Sequence, residues 1–494
     1  MSSAVNDTID TRNARANASA MSAVESLVSE STSLIQYSSR GRVAVIGGYE
    51  AQEFALRLSG ELTAQVILTT GAVEPGVPTI PSGNRPLRIE GYLGNFTIVL
   101  GEEGRPSYET VTVDLILVLS PAPLLSMPVK PPGYFTAIPE EPYLTQVEEE
   151  LKGLTGTFEK PKYFSYDASI CAHGRSGIGG CTRCIDACPA DAITSLVESV
   201  EVDPNLCQGG GICASACPTG AIRYVYPGST DTLHALRTLL NSYDEAGGGN
   251  PVVAFVAAEE AEMLDSKPAN LLMVMVEEIA STGLDIWLSA LAYGAKRVLL
   301  VDAGSLPGRV EAFLRQELET ANTILHGMGY DDNAIRVVGP RSLDQHCDVD
   351  NGFRLDEVAH YAGSLEKRRT ALQAIDHLYR HSHNAQQIIA LPEHSLFGRI
   401  VVDAGACTLC MGCTSVCPSK AVSAGNEVPK LEFHEINCVQ CGICASACPE
   451  HAITLEPRLI SDAEQRRGMV TLHEEIPFCC INCGKAFATQ SLID

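Results

Sequence analysis

Short apolar runs alternate with amphipathic helical segments in two separate parts of the chain. In the first part, residues 42–46 are an apolar run, and residues 49–60 carry apolar positions with the spacing of one helix face. Residues 66–68 and 114–119 are further apolar runs. Strands buried on both faces of a parallel sheet are apolar at nearly every position. The pattern therefore predicts an α/β domain over residues 41–165.

The same alternation returns after residue 229. It predicts buried strands over residues 252–256, 297–301 and 335–338 and helices over residues 283–293 and 307–328. These elements indicate a second, doubly wound α/β domain over residues 229–395. A charged helical run over residues 356–383 completes it, and we interpret His377, His381 and His383 in that run as a solvated face.

The turn after the first predicted strand raises the question of a nucleotide site. Gly47 and Gly48 stand at this turn, but no third glycine opens the following helix, so the dinucleotide-binding signature is incomplete. The alternatives are a nucleotide-binding Rossmann domain and a structural α/β docking domain. The incomplete signature favours the docking domain.

Composition narrows the class of protein. The chain has 494 residues, enough for about three or four domains, and a formal charge of −25. This charge argues against nucleic acid and anionic membranes as partners, and it fits either docking to a basic surface of a redox protein or solubility alone. No segment approaches the roughly 18 apolar residues of a membrane span. Residues 1–40, rich in Ser, Ala, Asn and Thr, are predicted to be a disordered tail.

Eight cysteines between residues 407 and 448 form two runs with one spacing. In each run two, two and three residues separate the cysteines, and a proline follows the last one. The two runs are Cys407, Cys410, Cys413 and Cys417, and Cys438, Cys441, Cys444 and Cys448. A disulfide or zinc framework is the alternative to an iron–sulfur site here. In a chain this long with α/β domains, the spacing indicates a reducing, cytoplasmic compartment instead of a secreted disulfide scaffold.

These runs resemble those of bacterial ferredoxins that carry two [4Fe–4S] clusters, in which the fourth cysteine of each run reaches the other cluster. The resemblance implies one cluster on Cys407, Cys410, Cys413 and Cys448. It implies a second cluster on Cys438, Cys441, Cys444 and Cys417. Residues 452–455 are expected to form a strand over the clusters.

A second block, over residues 171–217, departs from this pattern in two ways. Gly210 stands where the other block has Cys441, and the counterpart of Cys407 has moved back to Cys171, before a glycine-rich insertion. By alignment, the block has one complete site and one three-cysteine site, namely Cys171, Cys181, Cys184 and Cys217, and Cys188, Cys207 and Cys213. Three thiolates suit a [3Fe–4S] cluster, or a cube whose fourth iron takes water or another side chain. His173 is an alternative ligand, although we interpret it as an ordinary loop histidine.

The C-terminus carries one further cysteine motif. Cys479, Cys480 and Cys483 resemble half of a zinc ribbon, and a tetrahedral zinc site needs a fourth ligand. The alternatives are a partial zinc site completed elsewhere, a truncated reading frame, and an exposed pair without metal. Cys347 stands alone, and we expect it to have no redox role.

The predicted fold is α/β with α+β: two bacterial-type dicluster ferredoxin domains interleaved with two Rossmann-like or flavodoxin-like α/β domains. The predicted boundaries are a tail over 1–40, an α/β domain over 41–165, a modified dicluster domain over 166–228, a second α/β domain over 229–395, a dicluster domain over 396–460, and a cysteine-containing C-terminal segment over 461–494.

Two family resemblances bear on function. Residues 294–301 resemble the small subunit that links hydrogenase to heterodisulfide reductase in methanogens, but they lack that family's cysteines. Over residues 42–494 the chain resembles multi-cluster ferredoxin-like proteins found with bacterial formate dehydrogenase accessory factors, through segments such as 180–184, 407–410 and 438–458.

That second resemblance implies an electron-transfer partner, or a maturation helper, of a molybdenum or tungsten formate dehydrogenase. The open alternatives are therefore an electron-transfer subunit within an oxidoreductase complex and an accessory, maturation or redox-sensing factor. A self-contained enzyme ranks third, because the sequence carries no nucleophile–base arrangement and no flavin or hydrolase motif.

Overall fold

The computed structural model describes residues 9–27, 32–58, 60–120, 123–265, 267–330, 333–348, 355–425, 428–489 and 493. The expected disordered tail is wrong for the described part of residues 1–40. Residues Ile9–Glu25 form helix α1, which packs on a helix of the second α/β domain and buries Asn13, Ala16 and Ala20. The remainder of that prediction, residues 1–8 and 28–31, lies outside the described residues.

The described residues of the first α/β domain form ten strands and two helices. In chain order they are β1 (Leu34–Ser39), β2 (Arg42–Gly47), α2 (Tyr49–Leu58), β3 (Thr63–Leu68), β4 (Thr79–Pro81), β5 (Leu87–Tyr92), β6 (Asn95–Leu100), β7 (Glu109–Val113), β8 (Leu115–Leu119), β9 (Tyr134–Thr136), α3 (Tyr143–Gly153) and β10 (Gly156–Pro161). Five strands form a parallel sheet in the order β4-β3-β2-β8-β9. The strands predicted over residues 42–46, 66–68 and 114–119 are all in it.

Different elements pack on the two faces of this sheet. Alternate side chains of β2, β3 and β8 pack on one face against α2 and α3. On the other face they pack against a separate antiparallel sheet, β5-β6-β7. Strand β1 pairs with β10, so the domain begins before residue 41.

The first cysteine module comprises residues 164–224. Its elements are β11 (Phe164–Tyr166), β12 (Gly174–Arg175), β13 (Ile178–Gly179), α4 (Arg183–Ala187), β14 (Ile193–Ser195), β15 (Val200–Val202), α5 (Ile212–Ala216) and β16 (Ile222–Tyr224). Two antiparallel pairs, β11 with β16 and β14 with β15, enclose the two short helices. The glycine-rich insertion is the hairpin β12–β13, whose turn residues Ser176 and Gly177 have φ of 55° and 75°. Positive φ at both positions is the geometry of a two-residue hairpin turn.

The second α/β domain contains α6 (Ser229–Glu245), β17 (Val252–Val256), α7 (Ala258–Glu262), β18 (Leu271–Met275), α8 (Leu284–Ala292), β19 (Arg297–Val301), α9 (Gly308–Gly327), β20 (Ile335–Val338) and α10 (Lys367–Arg380). Its four strands are parallel in the order β18-β17-β19-β20. Helices α6, α8, α9 and α10 share one apolar core with this sheet, around the fully buried Trp287. The predicted strands over residues 252–256, 297–301 and 335–338 and the predicted helices over residues 283–293 and 307–328 therefore form as expected.

One detail of the histidine-rich run differs from expectation. The helix is confined to α10, and His377 is buried on it, with Nε2 2.9 Å from the carbonyl oxygen of Glu357. Burial lowers the pKa of His377. The prediction of a solvated face is thus wrong for His377, whereas the His383 side chain is exposed.

The second cysteine module comprises residues 398–460, with strand β21 before it and a short segment after it. The elements are β21 (Ile388–Ala390), β22 (Gly398–Val402), α11 (Gly412–Val416), β23 (Val422–Ala424), β24 (Lys430–His434), α12 (Ile443–Ser446), β25 (Ile453–Ile460), α13 (Ala463–Arg467), β26 (Met469–Glu474), β27 (Pro477–Cys479) and β28 (Ala486–Thr489). The pairs β22 with β25 and β23 with β24 correspond to the two pairs of the first module. The expected strand over residues 452–455 is the start of β25. Strand β26 pairs with β24, which extends this module beyond residue 460.

None of the helices in the described part of the chain combines the length and hydropathy needed to cross a membrane.

Candidate metal centre

The cysteine loops of both modules share one backbone conformation. In three of the four runs, the residues just before and just after the second cysteine position have positive φ. These residues are Leu409 and Met411 (51° and 61°), Gln440 and Gly442 (53° and 80°), and Gly209 and Gly211 (84° and 68°). The loop around Gly210 therefore keeps the shape of the cysteine loops although its own thiol is missing.

The chain leaves all four runs in the same way. The third residue after each final cysteine has positive φ, and a proline stands directly after the cysteine in every case. The four positions are Asp191, Gly220, Lys420 and His451, with φ of 47°, 73°, 53° and 50°. Non-glycine residues adopt this conformation at a cost, so its repetition indicates a common structural requirement of the four runs.

We describe the fifteen cysteines of these runs as four groups. Group 1 is Cys188, Cys207 and Cys213; group 2 is Cys171, Cys181, Cys184 and Cys217; group 3 is Cys417, Cys438, Cys441 and Cys444; group 4 is Cys407, Cys410, Cys413 and Cys448. All nineteen cysteines of the chain lie in its described part, and each is a free thiol.

The structure brings the members of each complete group together. Burial, followed by the charges of neighbouring thiols, raises the pKa of Cys413 to about 11 and those of Cys184 and Cys444 to about 12. The thiols that act on them are Cys407, Cys410 and Cys448 around Cys413, Cys438, Cys441 and Cys417 around Cys444, and Cys217, Cys181 and Cys171 around Cys184. The sequence analysis assigns the same thiols to each of these groups, and the binding of a cluster by each group stays a prediction.

Group 1 consists of the three thiols that the alignment assigns to it, and the cluster on them stays a prediction. The Cys213 side chain is partly buried, and burial together with the charges of Cys207 and Cys188 raises its pKa well above the ordinary value. Cys184 and Cys217 of group 2 also act on Cys213. Groups 1 and 2 therefore lie side by side in the first module.

Backbone amides donate to the sulfurs in a repeated pattern. The N–H groups of Ala421 and Ala452, four residues after Cys417 and Cys448, donate to these sulfurs over 3.2 and 3.3 Å. Burial raises the pKa of Cys181, Cys207, Cys407, Cys438 and Cys441, and the backbone amide two residues after each of these cysteines opposes that rise. Hydrogen bonds to the charged form favour a thiolate, which is the form that binds iron. The donor set, its burial and these amides all fit iron–sulfur clusters.

The two modules touch through groups 2 and 3. A Cβ atom built on Gly180 would lie 2.2 Å from Cγ1 of Ile443, so only glycine permits this contact between the β12–β13 hairpin end and helix α12. Cys181 directly follows Gly180, and Cys441 stands two residues before Ile443. Burial raises the pKa of Cys181 to about 11, with the charges of Cys217 and Cys441 adding to the rise. The four groups thus lie in the order 1, 2, 3, 4 through the molecule.

Comparison with known families now identifies both modules. The family described as "4Fe-4S dicluster domain" matches residues 406–453, and the family described as "4Fe-4S binding domain" matches residues 200–223. The chain contains two 4Fe–4S ferredoxin-type domains. We refer to the modules as the first and second ferredoxin domains from here on. The matches and the cysteines support [4Fe–4S] clusters and suggest iron–sulfur electron transfer.

The family comparison leaves the finer resemblance without support. No curated protein matches this chain in sequence. The two family matches concern the ferredoxin domains alone and do not extend to formate dehydrogenase accessory factors.

Several predicted or alternative site residues are placed elsewhere. His173 is buried, with Nδ1 2.9 Å from the carbonyl oxygen of Cys181 and Nε2 2.6 Å from Oγ of Ser195, so both ring nitrogens are engaged as expected of a loop histidine. Cys347 is buried away from the groups, its Sγ donating to the carbonyl oxygen of Leu343 over 3.4 Å.

The C-terminal cysteines lie on the hairpin β27–β28 and the turn within it. Cys479 and Cys483 are exposed, and amides of Asn482 and Cys483 lower the pKa of Cys480. Among the described residues, no three His, Cys, Asp or Glu side chains gather as a single metal ion requires. The partial zinc site on Cys479, Cys480 and Cys483 stays a prediction.

The sequence patterns did not predict the basic side chains that lie near the cysteine groups. The Arg368 guanidinium donates to the carbonyls of Leu396 and Ile436 over 2.8 and 2.9 Å, and burial lowers its pKa to about 10 while the Cys438 charge acts in the opposite direction. Lys160 donates to the carbonyl oxygen of Cys207 over 2.6 Å, and burial lowers its pKa to about 8. Both residues are far from the cysteines in sequence, so no motif indicates them.

Glu278 was also missed. Its side chain lines a cavity beside group 1, and burial followed by the nearby carboxylates Glu260 and Glu277 raises its pKa to about 7.

Proposed function

We propose that the protein is a multi-cluster iron–sulfur electron-transfer protein that exchanges electrons with a redox partner. Groups 2, 3 and 4 would each hold a [4Fe–4S] cluster on four cysteines. Group 1 would hold a [3Fe–4S] cluster or a three-thiolate cube. Such clusters supply reversible one-electron oxidation and reduction.

The observation that carries this proposal is the contact between the two ferredoxin domains. Gly180 lies against Ile443, and the thiols of Cys181 and Cys441 are near enough to act on one another. Two unconnected cluster-binding domains would need no such approach. The contact supports a single line of four groups, with group 1 at one end and group 4 at the other.

The second α/β domain fixes the geometry of that contact. Arg183, next to Cys184, donates to the carbonyl oxygen of His394 over 2.8 Å and pairs with Glu317 of α9 over 3.1 Å. Lys367 of α10 donates to the carbonyl oxygen of Ala214 over 3.0 Å. These bonds tie both short helices of the first ferredoxin domain to one rigid core.

The two α/β domains serve, in this proposal, as Rossmann-like and flavodoxin-like docking domains without a nucleotide. The amide of Gly48 donates to Oε1 of Glu50 over 3.1 Å at the start of α2. A carboxylate at that position would repel the phosphate that a dinucleotide places at a helix N-terminus. The net charge of −25 favours a partner with a basic docking surface.

Formate dehydrogenase is the partner that the sequence resemblance suggests, in the cytoplasm. The test is Cys441→Ser in a strain that contains both proteins, with Cys347→Ser as the matched control because Cys347 is buried but lies outside the four groups. Serine replaces a soft ligand of group 3 by a harder oxygen. We expect formate-dependent reduction of the physiological acceptor to fail in Cys441→Ser and to persist in Cys347→Ser.

The same cells separate a carrier from a maturation factor. Formate dehydrogenase isolated from the Cys441→Ser strain should reduce an artificial dye at the wild-type rate, because a carrier defect leaves the partner's own cofactor in place. Loss of dye activity together with a missing partner cofactor would contradict the proposal in favour of maturation. Wild-type electron delivery by Cys441→Ser would contradict the assignment of group 3 to the electron path.

A further inference from the structure

A cavity of about 210 Å³ lies beside group 1. Cys188, Cys207 and Cys213 contribute to its wall, as does Gly210, and Glu278 enters from the second α/β domain. Apart from the three cysteines, Glu278 is the sole ionisable side chain among the described residues of this wall. The cavity therefore combines the three thiols with one carboxylate.

Gly210 marks the place where a fourth thiol is missing. The positive φ angles of Gly209 and Gly211 match those that flank Cys441 in the second ferredoxin domain. A Cβ atom built on Gly210 meets no atom within 4 Å, so the position faces open space. The loop is shaped for four ligands and supplies three.

The segment that carries Glu278 is fixed against the same loop. Ser215 of α5 donates through Oγ to the carbonyl oxygen of Ala280 over 2.6 Å. A Cβ atom built on Gly211 would lie 2.4 Å from Cβ of Ser281, so the two backbones are in direct contact. Glu278 stands immediately before this turn and is held beside the gap at Gly210.

The Glu278 carboxylate is uncompensated. Within the described part of the chain it has no hydrogen bond or ion pair, and the charges around it are the carboxylates of Glu259, Glu260, Glu277 and Asp302. Burying a carboxyl group among other carboxylates destabilises its charged form. A bound iron would supply the positive charge that this environment lacks.

We propose that Glu278 is the fourth protein ligand of a [4Fe–4S] cluster in group 1. One carboxylate oxygen of Glu278 would bind the single iron that no cysteine coordinates. The inference deepens the proposed function, since it requires a cluster on Cys188, Cys207 and Cys213. A carboxylate is a harder and weaker ligand for this iron than a thiolate. Group 1 would then exchange that iron more readily than groups 2 to 4.

An oxidised [3Fe–4S]⁺ cluster takes up one electron from dithionite and one Fe²⁺ ion to give [4Fe–4S]²⁺, and Glu278 releases its proton to solvent when its oxygen binds. The product is silent in electron paramagnetic resonance, whereas [3Fe–4S]⁺ gives a signal. The spectrum therefore reports the occupation of the fourth position without any activity assay.

The experiment treats the mildly oxidised full chain with Fe²⁺ and dithionite under argon, removes both, and records the spectrum after reoxidation with a mild oxidant. The variant is Glu278→Gln, and Glu277→Gln is the matched control, since Glu277 is its exposed neighbour. We expect wild type and Glu277→Gln to lose the [3Fe–4S] signal and Glu278→Gln to retain it. Glu278→Asp should lose the signal only at higher Fe²⁺ concentration.

Two results would overturn the inference in distinguishable ways. Iron uptake by Glu278→Gln equal to that of wild type would show that Glu278 is not a ligand, while the cluster of group 1 stands. If every protein lacked the [3Fe–4S] signal before Fe²⁺ addition and contained iron for three cubes only, group 1 would hold no cluster, and the proposed function would be wrong for that group. The double variant Gly210→Cys/Glu278→Gln should recover full iron uptake, which checks that the glutamine has not unfolded the site.

Discussion

The two ferredoxin domains share a frame but differ in what completes it. Both have two antiparallel strand pairs around two short helices, and both repeat the positive φ angles of the cysteine loops. In the second domain all eight thiols come from the two runs. In the first, Gly210 replaces one thiol, and the second α/β domain provides side chains around the gap. Loop conformation and ligand identity therefore vary independently. The shared loop shape alone does not show how many cysteines bind a cluster.

Equivalent cysteines of the two domains should respond differently to the same substitution. Cys213→Ala leaves two thiols in group 1 and is expected to lose its whole cluster, about three or four irons per chain. Cys444→Ala leaves three thiols in group 3 and should lose about one iron. Iron and acid-labile sulfide per chain measure both losses, with Cys347→Ala as the control. Equal losses of iron from the two variants would contradict the proposed difference between the two ferredoxin domains.

Arg368 tests the basic environment of group 3. Arg368→Gln removes charge-assisted hydrogen bonds to Leu396 and Ile436 and should lower the free energy of unfolding by about 2–4 kcal/mol. Loss of the positive charge beside Cys438 should also lower the reduction potential of one cluster. Denaturant unfolding and a redox titration measure the two effects. Unchanged potentials for all clusters would exclude Arg368 as a tuning residue.

Gly180 tests the contact between the domains. Gly180→Val places atoms against Cγ1 of Ile443 and the carbonyl oxygen of Ala172, and this overpacking should destabilise the protein by about 1–3 kcal/mol. Iron content should be unchanged, because no ligand is altered. Ile443→Ala in the same chain should recover part of the loss by making room, which a double-mutant cycle measures. Additive effects would show that the two residues do not meet.

Gly210 should tolerate the substitution that makes the two domains alike. A side chain at this position meets open space, so Gly210→Cys should change the free energy of unfolding by less than about 0.5 kcal/mol. The fourth thiol should convert the group 1 cluster to a stable [4Fe–4S] form. Gly211→Ala is the contrasting control, because its Cβ atom would collide with Ser281. A large loss of stability in Gly210→Cys would show that the position is closed.

Local sequence patterns predicted β2, β3 and β8 of the first parallel sheet and β17, β19 and β20 of the second, but not β4, β9 or β18. The assignment of the cysteines to four cluster-binding groups stays a prediction. Continuous apolar runs such as Val252–Val256 fix a buried strand, and the spacing of the cysteines fixes which thiols share a loop. Helix α1 was not predicted because it is polar overall and contacts the second α/β domain through the small residues Ala16 and Ala20. Asn13 adds a hydrogen bond, its Oδ1 accepting from the amide of Gly249 over 2.8 Å.

The features that depend on distant segments were beyond sequence reasoning. Glu278 reaches group 1 from another domain. Gly180 contacts Ile443 although the whole second α/β domain lies between them in sequence. His377 is buried by residues that precede its own helix. Spacing along the chain carries no information about such contacts, because they depend on how whole domains pack.

The most direct test of the account is the electron paramagnetic resonance spectrum of the fully reduced chain. If groups 1 to 4 form one line, reduced clusters in neighbouring groups should broaden each other's signals through magnetic coupling. Cys441→Ser alters group 3, which lies between groups 2 and 4, so this variant should weaken the magnetic coupling of group 3 to both neighbours and simplify the spectrum. Cys347→Ser should leave the spectrum unchanged. A wild-type spectrum that is the plain sum of isolated cluster signals would contradict the continuous arrangement on which the proposed function rests.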